Sequence, residues 1–194
     1  MAQDKRVRLV DTLSDEDLVL NILAVFEASD LADADWYRAA RTFAEGLASV
    51  HGLSLEAAAG IVAALSPTCP WDRNMVLAET MSATGDCRHR SGDAIRKARR
   101  IRAGEAPLDV LGGRKVRSFY GCIVDPENGD LVCVDRHAYD IAVGEVTSDA
   151  ERKSLESDAG YARIADAYRR AAAKVGLLPQ ELQAITWCQW RRAH

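Results

Sequence analysis

An amine and a carboxylate stand out in the middle of the chain: Lys115, directly after Gly112-Gly113-Arg114, and Asp135, in the run Val134-Asp135-Arg136-His137. A lysine amine is a nucleophile once it has lost its proton, which at neutral pH takes desolvation or a neighbour that lowers its pKa. A carboxylate can steady positive charge that develops on a substrate. Each residue also has a plain structural use. Asp135 sits where a helix N-cap would sit. Lys115 can be a solvated lysine of a basic helix, and Gly112-Gly113 can be only a turn. What favours chemistry is the joint order: turn, lysine, helix, buried run, aspartate, helix.

The other candidates are weaker. His137 reads as a core or supporting histidine before it reads as a catalytic base. The cysteines, Cys69, Cys87, Cys122, Cys133 and Cys188, are odd in number and form no C-x-x-C pair, so free thiols in a reducing compartment are expected. Cys87-x-His89 and Cys133-x-x-x-His137 are not familiar zinc spacings, and neither a metal nor a cofactor is expected.

Charge is distributed unevenly. The net charge of −4 argues against a general nucleic-acid coat protein. Residues 1–87 carry a balance of −8, residues 88–117 one of +7, and residues 118–194 one of −3. A local basic patch is what phosphate contact needs, and DNA is one partner it would suit, through Arg96, Lys97, Arg99 and Arg100 and then Gly112, Gly113, Arg114 and Arg117. A solvated helix face explains the same charges equally well.

These residues need a scaffold. The 194 residues, 48% of them hydrophobic, suffice for one cored domain, or one divided into two lobes flanking a central cleft. No run of 18 apolar residues occurs, so no membrane span is expected. Met1 to Leu13 is charged and lacks the features of a signal peptide, which leaves the cytoplasm as the expected location. Helical periodicity dominates. Ser14 with Asp17 resembles a capping box ahead of Leu18, Ile22, Val25 and Phe26. A helix from about Asp33 to His51 buries Trp36, Phe43 and Leu47 and stops at Gly52. Ser54 caps a small-residue helix that ends near Pro67, and Pro70 starts the next, with Trp71, Met75 and Ala78.

Ser91 to Ala103 reads as a basic helix stopped by Gly104, and a short apolar run follows Pro107. Arg114 to about Ile123 is helical. Leu131 to Val134 is extended or merely buried, and Asp135 opens a helix that Gly144 stops. From Gly144 to Asp158 a loop is expected. Asp158 to Val175 is a strong helix with Tyr161, Ile164, Ala165, Tyr168, Ala172 and Val175 on its apolar face. Pro179 opens the last, with Leu182, Ile185, Trp187 and Trp190. The expectation is an all-α fold of eight or nine helices.

The run from Leu111 to Gly144 resembles the helix-hairpin-helix DNA glycosylases, the endonuclease III group in particular. There a glycine-rich hairpin precedes Gly-Arg-Lys and a helix, and a buried β-branched run leads to Val-Asp-Thr-His. Leu65-Ser66 before Pro70-Trp71 also looks like the family's helix pair beside the damaged base. The resemblance covers about residues 50–145. It implies that Lys115 attacks C1′ of the deoxyribose, with a Schiff-base intermediate, and that Asp135 stabilises charge on the sugar or orients the attacking group. The target base would be rotated out of the stack, beside Trp71, Asn74, Tyr120, His137 and Trp187, of which Trp71, Tyr120 and Trp187 could stack on it. Read without the resemblance, Trp71, Trp187 and Trp190 are core residues.

The chain departs from that family in two respects. Its hairpin is shortened and lacks proline, and only Cys188 follows Asp135, so the four-cysteine cluster of many members is absent. It also looks similar to small glycosylase-like proteins of bacteriophages, part of which are associated with thymine hypermodification. Membership there implies a transferase that joins an amino acid or amine to an activated base, in the host cell cytoplasm. Leu65-Ser-Pro, Trp71-Asp-Arg-Asn74, Ser118-Phe119 and Gln183-Ala-Ile-Thr-Trp187 carry that likeness. Three functions therefore stand: base excision, base modification, and a DNA- or protein-binding domain without chemistry.

Overall fold

The computed structural model describes residues 8–194, and among them every regular element is helical. The part of the charged N-terminal start that spans residues 1–7 lies outside the described residues. In chain order the α-helices are α1 (Leu9–Thr12), α2 (Asp15–Glu27), α3 (Trp36–His51), α4 (Leu55–Leu65), α5 (Trp71–Thr84), α6 (Gly92–Arg102), α7 (Pro107–Val110), α8 (Arg114–Val124), α9 (Arg136–Val143), α10 (Asp149–Arg152), α11 (Asp158–Val175) and α12 (Pro179–Ala193). Short 3-10 turns cover Leu31–Asp35 and Lys153–Glu156. The chain forms two compact units: Asp35–Leu131, and the chain up to Ala34 together with Val132–His194.

The Asp35–Leu131 unit is organised around α4. Ser54 caps this helix by accepting from the Ala57 amide. Every residue from Ala58 to Leu65 is buried, and α3, α5, α6 and α8 pack around it. The alanines let those helices approach, while Ile61, Val62 and Leu65 supply the apolar bulk. Full burial of one such side chain is worth about 1.5–3 kcal/mol. At Gly60 the approach is closest: a Cβ there would lie 2.8 Å from Pro107 Cγ and 3.2 Å from an Ile101 methyl. The short apolar run after Pro107 is thus the one-turn helix α7, seated on α4.

The other unit packs α2, α9, α11 and α12 together. Ser14 and Asp17 form the reciprocal capping box the sequence predicts. The hydrogen bonds from Ser14, side chain first and then backbone, hold the Asp17 carboxyl below its ordinary pKa. Tyr161, Ile164, Ala165, Tyr168 and Ala172 of α11 are buried, and Val175 packs at the edge of the core. Val132, Cys133 and Val134 are buried without forming a strand. The Tyr161 hydroxyl serves their backbone, donating to Val132 O and accepting from Val134 N, each at 3.0 Å.

The expected loop from Gly144 to Asp158 is instead partly helical. Ser148 caps α10 by accepting from the Glu151 amide. Arg152 then clamps Asp140 of α9 through two bonds, Nε at 3.0 Å and a terminal nitrogen at 2.6 Å. Three-residue periodicity is too short to see in α10, but Ser148-Asp-Ala-Glu151 is itself a capping signature.

Candidate functional site

The Asp35–Leu131 unit holds the amine. Gly112 and Gly113 are exposed, and Gly113 has φ of +75°, a backbone that a residue with a Cβ adopts only with strain. The α8 N-terminus that follows has no side-chain cap and no acidic residue in its first turn. Lys97 of α6 reaches the same turn, its Nζ 3.6 Å from where a Cβ on Gly112 would be. Arg114 and Lys115, the first two residues of α8, are half-buried.

Other cations of this unit are engaged locally. Arg117 donates from Nε to Leu111 O and from a terminal nitrogen to Leu108 O, each at 2.8 Å, and so braces the turn. The sequence reading gave Arg117 to DNA; its carbonyl contacts give it a structural task. On α6, Lys97 pairs with Asp93 at 2.9 Å, Arg96 with the same carboxylate, Arg99 with Asp86 at 2.7 Å and Arg100 with Glu105. These partners lower the pKa of Asp93, Asp86 and Glu105. These are surface pairs, with Lys97 half-buried, and such pairs contribute little, so a phosphate can displace the acid.

The aromatic and amide candidates of this unit are packed inward. Trp71 is half-buried, with its ring 4.9 Å from that of Trp36 and 6.0 Å from that of Phe43. Asn74 is buried and donates to Val62 O at 3.1 Å, while its Oδ1 has no partner among the described residues. Tyr120 is buried, and desolvation, helped by Glu56, raises its pKa.

The unit that contains Val132–His194 holds the carboxylate, and here three sequence candidates do meet. Asp135 caps α9: its Oδ1 accepts from the His137 and Ala138 amides, each at 2.9 Å. Its Oδ2 accepts from the indole Nε1 of Trp187 at 3.0 Å. The His137 ring stands edge-on to Trp187, with centroids 5.9 Å apart. Burial lowers the His137 pKa; Arg136 and Arg191 push the same way, against Asp135 and Asp140.

A cavity of about 370 Å³ opens beside this cluster, with Arg136, His137, Arg152, Trp190, Arg191 and His194 in its wall. The sequence reading did not single out Arg152, Arg191 or His194. For Arg191 and His194 the signal was the i, i+4 spacing along α12, which sets Arg191 over Trp187 at 5.4 Å and stacks His194 on Trp190 at 4.1 Å; Arg152, on α10, had none. Among the described residues no three His, Cys, Asp or Glu side chains gather as a metal site. Among those residues, too, no single helix is long and apolar enough to cross a membrane.

A protein-family model, described as a family of unknown function (DUF7178), matches residues 4–194. No curated protein matches the chain, and no solved structure matches it.

Proposed function

The chain belongs to DUF7178, a family of unknown function, and we propose that it is a DNA-acting enzyme of the glycosylase kind, working on a base rotated out of the helix. The observation that carries this reading is the turn ahead of α8. The exposed backbone of Gly112-Gly113, the positive φ of Gly113 and the ammonium of Lys97 beside it suit a phosphodiester. Lys115 is the second residue of the same helix, so a strand held at the turn lies beside an amine.

In this reading deprotonated Lys115 Nζ forms a bond to C1′ of the deoxyribose as the glycosidic bond breaks. Its electron pair leaves on the base, which takes up a proton. The adduct then opens the sugar ring to an imine. Borohydride reduces the imine, so duplexes that carry modified pyrimidines should give a covalent protein–DNA complex that Lys115→Ala loses. Retained DNA binding with no complex on any such duplex overturns excision. A gain in base mass without abasic sites, given an activated pyrimidine and an amine donor, would assign transfer instead.

A second reading, DNA binding without chemistry, is favoured by one observation. The Asp135 carboxylate already has a full structural task in capping α9 and holding Trp187. Under that reading Asp135→Asn changes stability but leaves DNA binding intact.

A further inference from the structure

The cavity beside α9 and α12 is lined by three guanidinium groups, and their partners divide them into two kinds. Arg152 is neutralised by Asp140, which is almost completely buried and also accepts from Thr147 Oγ1 at 2.6 Å. Asp140 is thereby saturated. Arg136 and Arg191 have no carboxylate partner among the described residues: Arg136 Nε donates to His137 Nε2 at 3.2 Å, and Arg191 lies over the Trp187 ring. Accepting that bond requires the unprotonated His137 ring, so the imidazole adds no charge. The wall therefore carries two uncompensated positive charges on exposed, adaptable side chains. The volume is of the size that takes small ligands.

We propose that this pocket binds a phosphomonoester, whose charge of about −1.5 to −2 at neutral pH matches the two free guanidinium groups. Arg forks suit phosphate oxygens, and each can supply two parallel donors. The phosphate belongs to a free nucleotide or to the end of a nucleic-acid strand. A backbone diester, with one charge, leaves one arginine uncompensated. The inference stands apart from the excision reading, because no part of it involves Lys115.

Titration calorimetry with four probes tests it: inorganic phosphate, thymidine monophosphate, and one short oligonucleotide with and without a 5′-phosphate. The monophosphate and the 5′-phosphorylated strand should bind more tightly than the 5′-hydroxyl strand. Arg136→Gln and Arg191→Gln should each weaken that binding by about tenfold or more, with unchanged circular dichroism. Preference for the free nucleotide or for the strand end identifies the source. Equal binding of the two oligonucleotides, no binding of any probe, or unchanged binding by both arginine variants overturns the proposal.

Discussion

The indole Nε1 of Trp187 donates to the Asp135 carboxylate at 3.0 Å, and this one bond joins the middle of α12 to the start of α9. It uses the oxygen that the α9 amides leave over. Hydrogen bonds to a charged acceptor are worth about 1.5–3 kcal/mol. Trp187→Phe keeps the ring and deletes the donor, so urea unfolding should show a loss of about 1–2 kcal/mol with an unchanged slope. An unchanged midpoint would mean that water replaces the indole at no cost.

Asp135 itself separates two contributions. Asp135→Asn retains an oxygen for the α9 amides but sets an amide against the indole; Asp135→Ala removes both. The alanine variant should be the less stable by about 1 kcal/mol, the size of a cap. Denaturant midpoints of the two variants decide this. If chemistry also depends on the carboxylate, turnover falls in the asparagine variant by far more than its stability does.

The Asp140–Arg152 pair is buried on the carboxylate side, with Asp140 at 2% exposure and Arg152 at 16%. Removing one member strands the other's charge. Arg152→Met should therefore cost about 3–5 kcal/mol, measured by calorimetric or chemical unfolding. A cost under about 1 kcal/mol would show that solvent reaches Asp140.

His137 gives the pH prediction. Burial depresses its folded pKa below the ordinary 6.5, with Arg136 and Arg191 adding to the effect and Asp135 and Asp140 opposing it. Above about pH 6.5 both folded and unfolded forms are neutral, and the stability is fully present. As pH falls through 6.5 towards the folded pKa, the unfolded chain binds a proton that the folded one does not, and stability declines. An NMR titration should place the midpoint below 6.5, and His137→Gln should flatten the slope of melting temperature against pH in that window. Saturating phosphomonoester should move the midpoint upward, since a dianion favours the imidazolium.

At Gly60 the sequence offered no warning. A methyl would meet Pro107 at 2.8 Å, so Gly60→Ala should destabilise by about 1–3 kcal/mol despite alanine's better helix propensity. Thermal melts would report it directly.

Helices were legible wherever a cap and an apolar stripe coincided. Ser14 with Asp17, Ser54 and Asp135 all cap as side-chain chemistry requires, and Gly52 and Gly144 stop helices in the left-handed region. The segment from Gly144 to Asp158 was missed because α10 spans one turn and its stability comes from Arg152 reaching back to Asp140, a contact twelve residues away that no local pattern encodes. The cavity was missed for a related reason. Trp190, Arg191 and His194 read as an ordinary amphipathic helix end, and only the folded unit brings them to Arg136. Among the named site residues, Asp135, His137 and Trp187 meet, whereas Arg117 and Asn74 are bound to backbone carbonyls and Tyr120 is buried.

The unit that contains α9, α11 and α12 is discontinuous in sequence: its first part precedes Asp35 and the remainder begins at Val132. During synthesis α2 emerges long before the helices that cover Leu18, Val19 and Ile22. The Asp35–Leu131 unit has all of its own partners as soon as Leu131 is made, while α2 must wait, apolar side bare, for the C-terminal third of the chain. Nascent chains halted before α11 should thus be the ones that a holding chaperone recognises, and release should coincide with the arrival of α12.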